Sequence, residues 1–142
     1  MPFNEFLSFL NIDRHSPLTN FDINIICKKL NIQNYKGVFM RDEIKGKASN
    51  NECIILNLDE SKNNGTHWVS LTVKNKICYY FDSYGFCPPD EIKTYCDGLE
   101  CYFSSYRIQN QNEVICGHYS LYIIYLLDND ISFSEAINFF YK

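Results

Sequence analysis

The segment HWVSLTVKNKICYYFD, residues 67–82, decides the architecture. Two runs rich in β-branched and aromatic residues, 67–73 and 77–82, are joined only by Lys74, Asn75 and Lys76. Such runs across so short a polar joint predict an antiparallel hairpin. His67 and Asp82 then lie together at its open end. If the turn leaves Val73 facing Lys76, paired residue numbers sum to 149, and His67 faces Asp82 with Cβ atoms about 4.5–5.5 Å apart. A register summing to 151 makes them diagonal neighbours on one face. A register summing to 150 sends Asp82 to the other face and separates the two.

Working outward, CIILNL at 53–58 is a further strand, and the loop after it is punctuated by Asn63, Asn64 and Gly65. Pro88 and Pro89 open a helix in PPDEIKTYCDG, with Asp90 and Glu91 in its first turn and Gly98 beyond its end. CYFSSYR at 101–107 reads as another strand. The polar QNQNE then leads into an apolar helix, CGHYSLYIIYLL, and Ser132 with Glu135 forms a capping box for SEAINFFY. Towards the start, FNEFLSFL at 3–10 predicts a short amphipathic helix. TNFDINIICKKL at 19–30 predicts a second, capped by Thr19 or Asn20, with Phe21, Ile25, Ile26 and Leu30 on its apolar side. The expected fold class is α+β: one domain over residues 1–142, with a central, mostly antiparallel or mixed sheet flanked by helices.

Composition narrows the function. A chain of 142 residues with eleven Phe, eleven Tyr and one Trp holds too much apolar surface to remain disordered. A formal net charge of −4 argues against a large nucleic-acid footprint. No apolar run reaches the roughly 18 residues of a membrane span. MPFNEFLSFLN has no basic segment and carries Glu5, which makes a poor secretory signal. With seven cysteines, an odd count, the expectation is a reduced interior rather than a secreted disulfide scaffold.

A nucleophilic thiol needs a stabilised thiolate, which a helix N-terminus supplies through its unpaired N–H groups. Cys27, Cys53, Cys78, Cys87, Cys96 and Cys101 fall within or beside strands and helices and read as packing thiols. Cys116 opens the apolar helix after a polar loop, and Gly117 beside it would leave room for a substrate backbone. Of the three histidines, His118 is two residues on and points away on a helix, and His15 has no obvious partner. His67 has Asp82, a carboxylate to orient the ring and stabilise its charged form. The Cys116 N–H and an upstream amide would hold an oxyanion; Gln109 and Gln111 both qualify, with Asn110 and Asn112 as bland alternatives. Cys78, Cys87, Cys96, Cys101 and His118 offer no close cysteine pair, which disfavours a non-catalytic zinc or other Cys/His binding module.

At GTHW (65–68), CYYFDSYG (78–85) and Gln109 through Cys116-Gly117, the chain resembles adenain, the adenovirus maturation protease, and the related proteases of virophages and Polinton-type elements. More distantly it is similar to the ubiquitin-like-protein-specific proteases. The similarity extends back to DINIICKKLNIQNYKGVFMRDEI (22–44), which resembles the N-terminal helix and following loop of these enzymes. The resemblance implies a thiol peptidase with His67 as base, Asp82 as orienting acid, Cys116 as nucleophile and Gln109 as oxyanion donor. Trp68 would line a channel beside the histidine. The seven-residue interval from Gln109 to Cys116 is the adenain spacing, which favours Gln109 over Gln111. No metal or other cofactor is implied. The implied substrates are polypeptides, namely capsid or core precursors cut after small residues, within the virion or host cell and away from membranes. Removal of ubiquitin or a ubiquitin-like modifier is the alternative in the same clan. Adenain is basic and is stimulated by DNA and a disulfide-linked peptide. This chain is acidic and its Cys101 is offset from the matching position, so dependence on an activating peptide or DNA stays open.

Overall fold

The computed structural model describes residues 1–60, 67–110 and 113–141. Five strands form one sheet in chain order: β1 (Tyr35–Met40), β2 (Glu52–Asn57), β3 (Trp68–Lys74), β4 (Ile77–Phe81) and β5 (Glu100–Phe103). The helices are α1 (Phe3–Leu10), α2 (Asn20–Lys29), α3 (Asp90–Tyr95), α4 (Cys116–Asp128) and α5 (Phe133–Asn138). The fold is α+β, as expected, with a mixed sheet. The central pairs β2·β3 and β3·β4 are antiparallel, while β1·β2 and β4·β5 at the edges are parallel.

The β3–β4 hairpin is tighter than the direct facing of His67 and Asp82 requires. Val73 pairs with Cys78 and Lys74 with Ile77, the register summing to 151. Only Asn75 and Lys76 remain in the turn, at φ 51° and 68°. Two consecutive left-handed residues match the right-handed twist of the strands they join. Asn51 Oδ1 and Asn50 O accept the turn's two N–H groups at 3.1 Å each. His67 and Asp82 are therefore diagonal neighbours on one face.

Strands β2 and β3 are buried on both sides, so their apolar residues run almost continuously. One face, with Cys53, Ile55 and Phe81, packs on α1, α2, α4 and α5. The other, with Ile54, Leu56, Val69, Leu71, Val73 and Tyr80, packs on Ile92 and Tyr95 of α3. Eleven of the thirteen residues of α4 are buried, which is why its sequence is apolar all round. Each buried Leu or Ile there contributes about 1.5–3 kcal/mol. Among the described residues no helix is long and apolar enough to cross a membrane.

Three expectations change. Within 22–44, where the resemblance implies a helix and a following loop, Tyr35–Met40 form β1, whose Lys36 and Gly37 disrupt the apolar pattern. In α2 the Thr19–Asp22 capping box is present, but Phe21 and Ile25 face solvent, and Ile23, Ile26 and Cys27 meet the core. The strand expected at 101–107 ends at Phe103. The loop residues Asn63, Asn64 and Gly65 lie outside the described residues.

Candidate active site

His67 immediately precedes β3 and Asp82 immediately follows β4, so the hairpin carries both to one end of the sheet. His67 Nε2 lies 2.6 Å from Asp82 Oδ1, with both residues buried. The carboxylate accepts, so Nε2 bears the proton and the neutral ring keeps its lone pair on Nδ1. That buried Nδ1 has no well-aligned hydrogen-bond partner among the described residues and is the nitrogen left for the Cys116 sulfur. Burial, the largest single influence, lowers the imidazole pKa. Hydrogen bonding and charge from Asp82 and Cys116 outweigh it and push the value up to about 9. The Cys116 sulfur lies 3.4 Å from the backbone nitrogen of Trp68, the residue that follows His67.

Cys116 is the first residue of α4 and is buried. Its own N–H lies among those that have no acceptor within the helix. The Trp68 backbone N–H donates to Cys116 Sγ at 3.4 Å, and the Ser120 hydroxyl donates to Trp68 O at 3.2 Å. Positions 116 and 120 share one helix face, so both polar backbone groups of Trp68 are tied to α4. The Trp68 indole is buried and its Nε1–H donates to Leu18 O at 2.9 Å. Gly117 serves this packing. A Cβ there would stand 3.1 Å from Trp68 Cδ1 and 3.4 Å from Leu18 Cβ. The room expected above Gly117 for a substrate backbone is filled by these two side chains.

Gln109 is buried, and its amide orientation is set from both ends. Ser83 Oγ–H donates to its Oε1 at 2.6 Å, and its Nε2 donates to Glu113 O at 2.6 Å. Among the described residues the second Nε2 proton meets the Tyr84 hydroxyl, at 3.5 Å. Asn110 is tied by its N–H to Glu113 Oε1. Gln111 and Asn112 lie outside the described residues.

The sequence reading missed Ser83 and Tyr84, and it missed the role of the Trp68 main chain. The Tyr84 ring stacks on His67 at 4.5 Å between centroids, and its N–H donates to Asp82 Oδ1 at 2.8 Å. Asp in a turn bonding the N–H two residues on is a signal that DSYG carries. Gly85, at φ +78°, closes this turn, and a Cβ there would come within 2.6 Å of Ser105 O. The turn is thereby pressed against the 104–109 segment, where Ser83 O accepts from Ile108 and Gln109 N–H. His118 is a core histidine, bonded through Nε2 to Asp13 O at 2.9 Å, and His15 is exposed.

Solved protein structures share this arrangement of strands and helices. The ASFV pS273R protease superposes with a TM-score of 0.61, covering 94% of this chain and 72% of its own at 18% identity. The SUMO protease Ulp1, solved with its catalytic cysteine oxidised to a sulfinic acid, gives 0.53, covering 87% and 74% at 16% identity. The chain has the fold of these cysteine proteases. At such identities the likeness is one of fold. No protein-family model and no curated protein matches the sequence.

Proposed function

We propose that the protein is a cysteine endopeptidase of the adenain and virophage kind. The observation that supports this most is a helix-leading sulfur beside a buried imidazole whose far nitrogen is held by a carboxylate. In the proposed cycle the Cys116 thiol proton passes to His67 Nδ1, and the sulfur attacks the peptide carbonyl carbon. The oxyanion takes the Cys116 N–H and the weakly engaged second proton of Gln109 Nε2. As the C–N bond breaks, the imidazolium protonates the leaving amine and a thioester remains. Water then attacks the thioester with His67 as base, releasing the acid and returning a proton to Cys116. Asp82 holds the ring in the required tautomer throughout.

The proposed substrates are virion precursor proteins cut after small residues, in the virion or the host-cell interior. The motif resemblance supports this, as does a viral protease among the structural neighbours. Removal of a ubiquitin-like modifier is the second reading, favoured by the likeness to a SUMO protease. Incubating the full chain with co-encoded capsid precursors and, separately, with ubiquitin-like fusions tests both. Cleavage of the precursors alone, lost in Cys116→Ala, is the expected result, and cleavage of the fusions alone would overturn it. Running the assay with and without DNA or candidate peptides identifies any activator.

A further inference from the structure

Three of the remaining cysteines meet in space. The sulfurs of Cys78, Cys96 and Cys101 lie within 4.8 Å of one another, without Cys87 or His118. They arrive from three elements: Cys78 from β4, Cys101 from its register partner on edge strand β5, and Cys96 from the end of α3. Backbone bonds fix the last of these, with Cys96 N–H on Ile92 O at 2.9 Å and Leu99 N–H on Cys96 O at 3.0 Å. The trio stands apart from the candidate active site. Cys78 and Cys96 belong to the core on one face of the sheet and Cys116 to the core on the other. Cys78 is also four residues along β4 from Asp82, about 13 Å at the rise of a strand.

We propose that Cys78, Cys96 and Cys101 form a thiolate site for one soft divalent metal ion of the Zn²⁺ class, with a fourth position open to solvent beside Cys101. Zinc–sulfur bonds of about 2.3 Å in tetrahedral geometry set sulfurs roughly 3.8 Å apart, so the trio closes on the ion by shifts of about 1 Å or less. Thiolates select such an ion over Mg²⁺ or Ca²⁺. Two sulfurs are buried and the third is exposed, which provides support on one side and access on the other. Without a cation Cys78 and Cys101 hold their protons. Hydrogen bonding to Cys96, then burial, with a smaller push from the Glu52 charge, drives the Cys78 thiol far up; burial, then Cys78, pushes Cys101 up to about 11. Binding exchanges three S–H bonds for three metal–sulfur bonds, and three protons leave to solvent. The ion would clasp the end of α3 to β5, whose chain continues into the segment bearing Gln109. The close pairs absent from the sequence are thus supplied by the fold.

The test is titration of the reduced full chain with Co²⁺, followed by displacement with Zn²⁺. One equivalent of Co²⁺ is expected to give thiolate-to-cobalt charge-transfer absorption, which Zn²⁺ abolishes while raising the melting temperature. Cys101→Ser, at an exposed position that leaves the core intact, is expected to lose both effects. Cys87→Ser and Cys116→Ser are expected to keep them. Absence of the band at stoichiometric cobalt would overturn the proposal. So would a band lost in Cys116→Ser but kept in Cys101→Ser, or a chain two hydrogens lighter from a disulfide within the trio and binding no metal.

Discussion

The backbone N–H of Trp68 points at Cys116 Sγ across 3.4 Å. A main-chain donor cannot be removed by changing a side chain, and it moves only if β3 moves against α4. It favours the thiolate, since hydrogen bonds to an ionised acceptor are the strong ones. Gly117→Ala tests this coupling. The added Cβ, 3.1 Å from Trp68 Cδ1, overpacks the contact at about 1–3 kcal/mol and pushes the indole off α4. Thermal unfolding is expected several degrees lower, and alkylation of Cys116 about tenfold slower, the equivalent of ~1.4 kcal/mol in the barrier.

The raised pKa of His67 fixes the sign of a pH effect. Its value is about 9 in the folded chain against an ordinary 6.5. The stabilisation linked to the charged ring is complete below pH 6.5, declines between 6.5 and 9, and is absent above. Unfolding free energy is therefore expected to fall as pH rises through that window. Cys116 is one of the groups that raise the value, so NMR titration of Cys116→Ala is expected to give a lower His67 pKa. An unchanged midpoint would place the sulfur out of reach of the ring.

Asp82 Oδ1 accepts from His67 Nε2 and from Tyr84 N–H together. Asp82→Asn keeps the size and loses the charge. A loss of roughly 10²–10⁴ in kcat/KM is expected, with the His67 pKa also lowered. Near-normal turnover in this variant would show that the carboxylate does not orient the ring.

The Ser83 hydroxyl acts through Gln109, whose Oε1 it holds at 2.6 Å. Gln109→Ala is expected to cost about 10²–10³ in kcat. Ser83→Ala should cost less, since Glu113 O still restrains the amide. In the double variant Ser83→Ala should add nothing, a coupling that a double-mutant cycle measures.

The hairpin and α4 were readable because their residues repeat the periods of strand and helix: alternating β-branched and aromatic positions in 67–82, and a helix apolar on every side after residue 116. The tightness of the turn was not. Asn75-Lys76 lacks the glycine that announces a two-residue turn, so three registers stay open in the sequence: one with His67 directly opposite Asp82, one setting them diagonally, and one sending Asp82 to the other face. Strand β1 was hidden by Lys36 and Gly37. Motif spacing favours Gln109 over Gln111, because a polar loop offers amides without ranking them. Cys78, Cys96 and Cys101 stood among the candidate ligands but without the close spacing that would single them out, since they converge only through a parallel edge pairing and the end of α3.

The central claim is that Cys116 is activated by His67, and it is tested most directly by labelling the chain with a thiol-directed peptide warhead and mapping the modified cysteine. The account predicts one adduct, on Cys116, absent in Cys116→Ala and formed far more slowly in His67→Ala. A dominant adduct on another of the seven thiols, or an unchanged rate in His67→Ala, would contradict it.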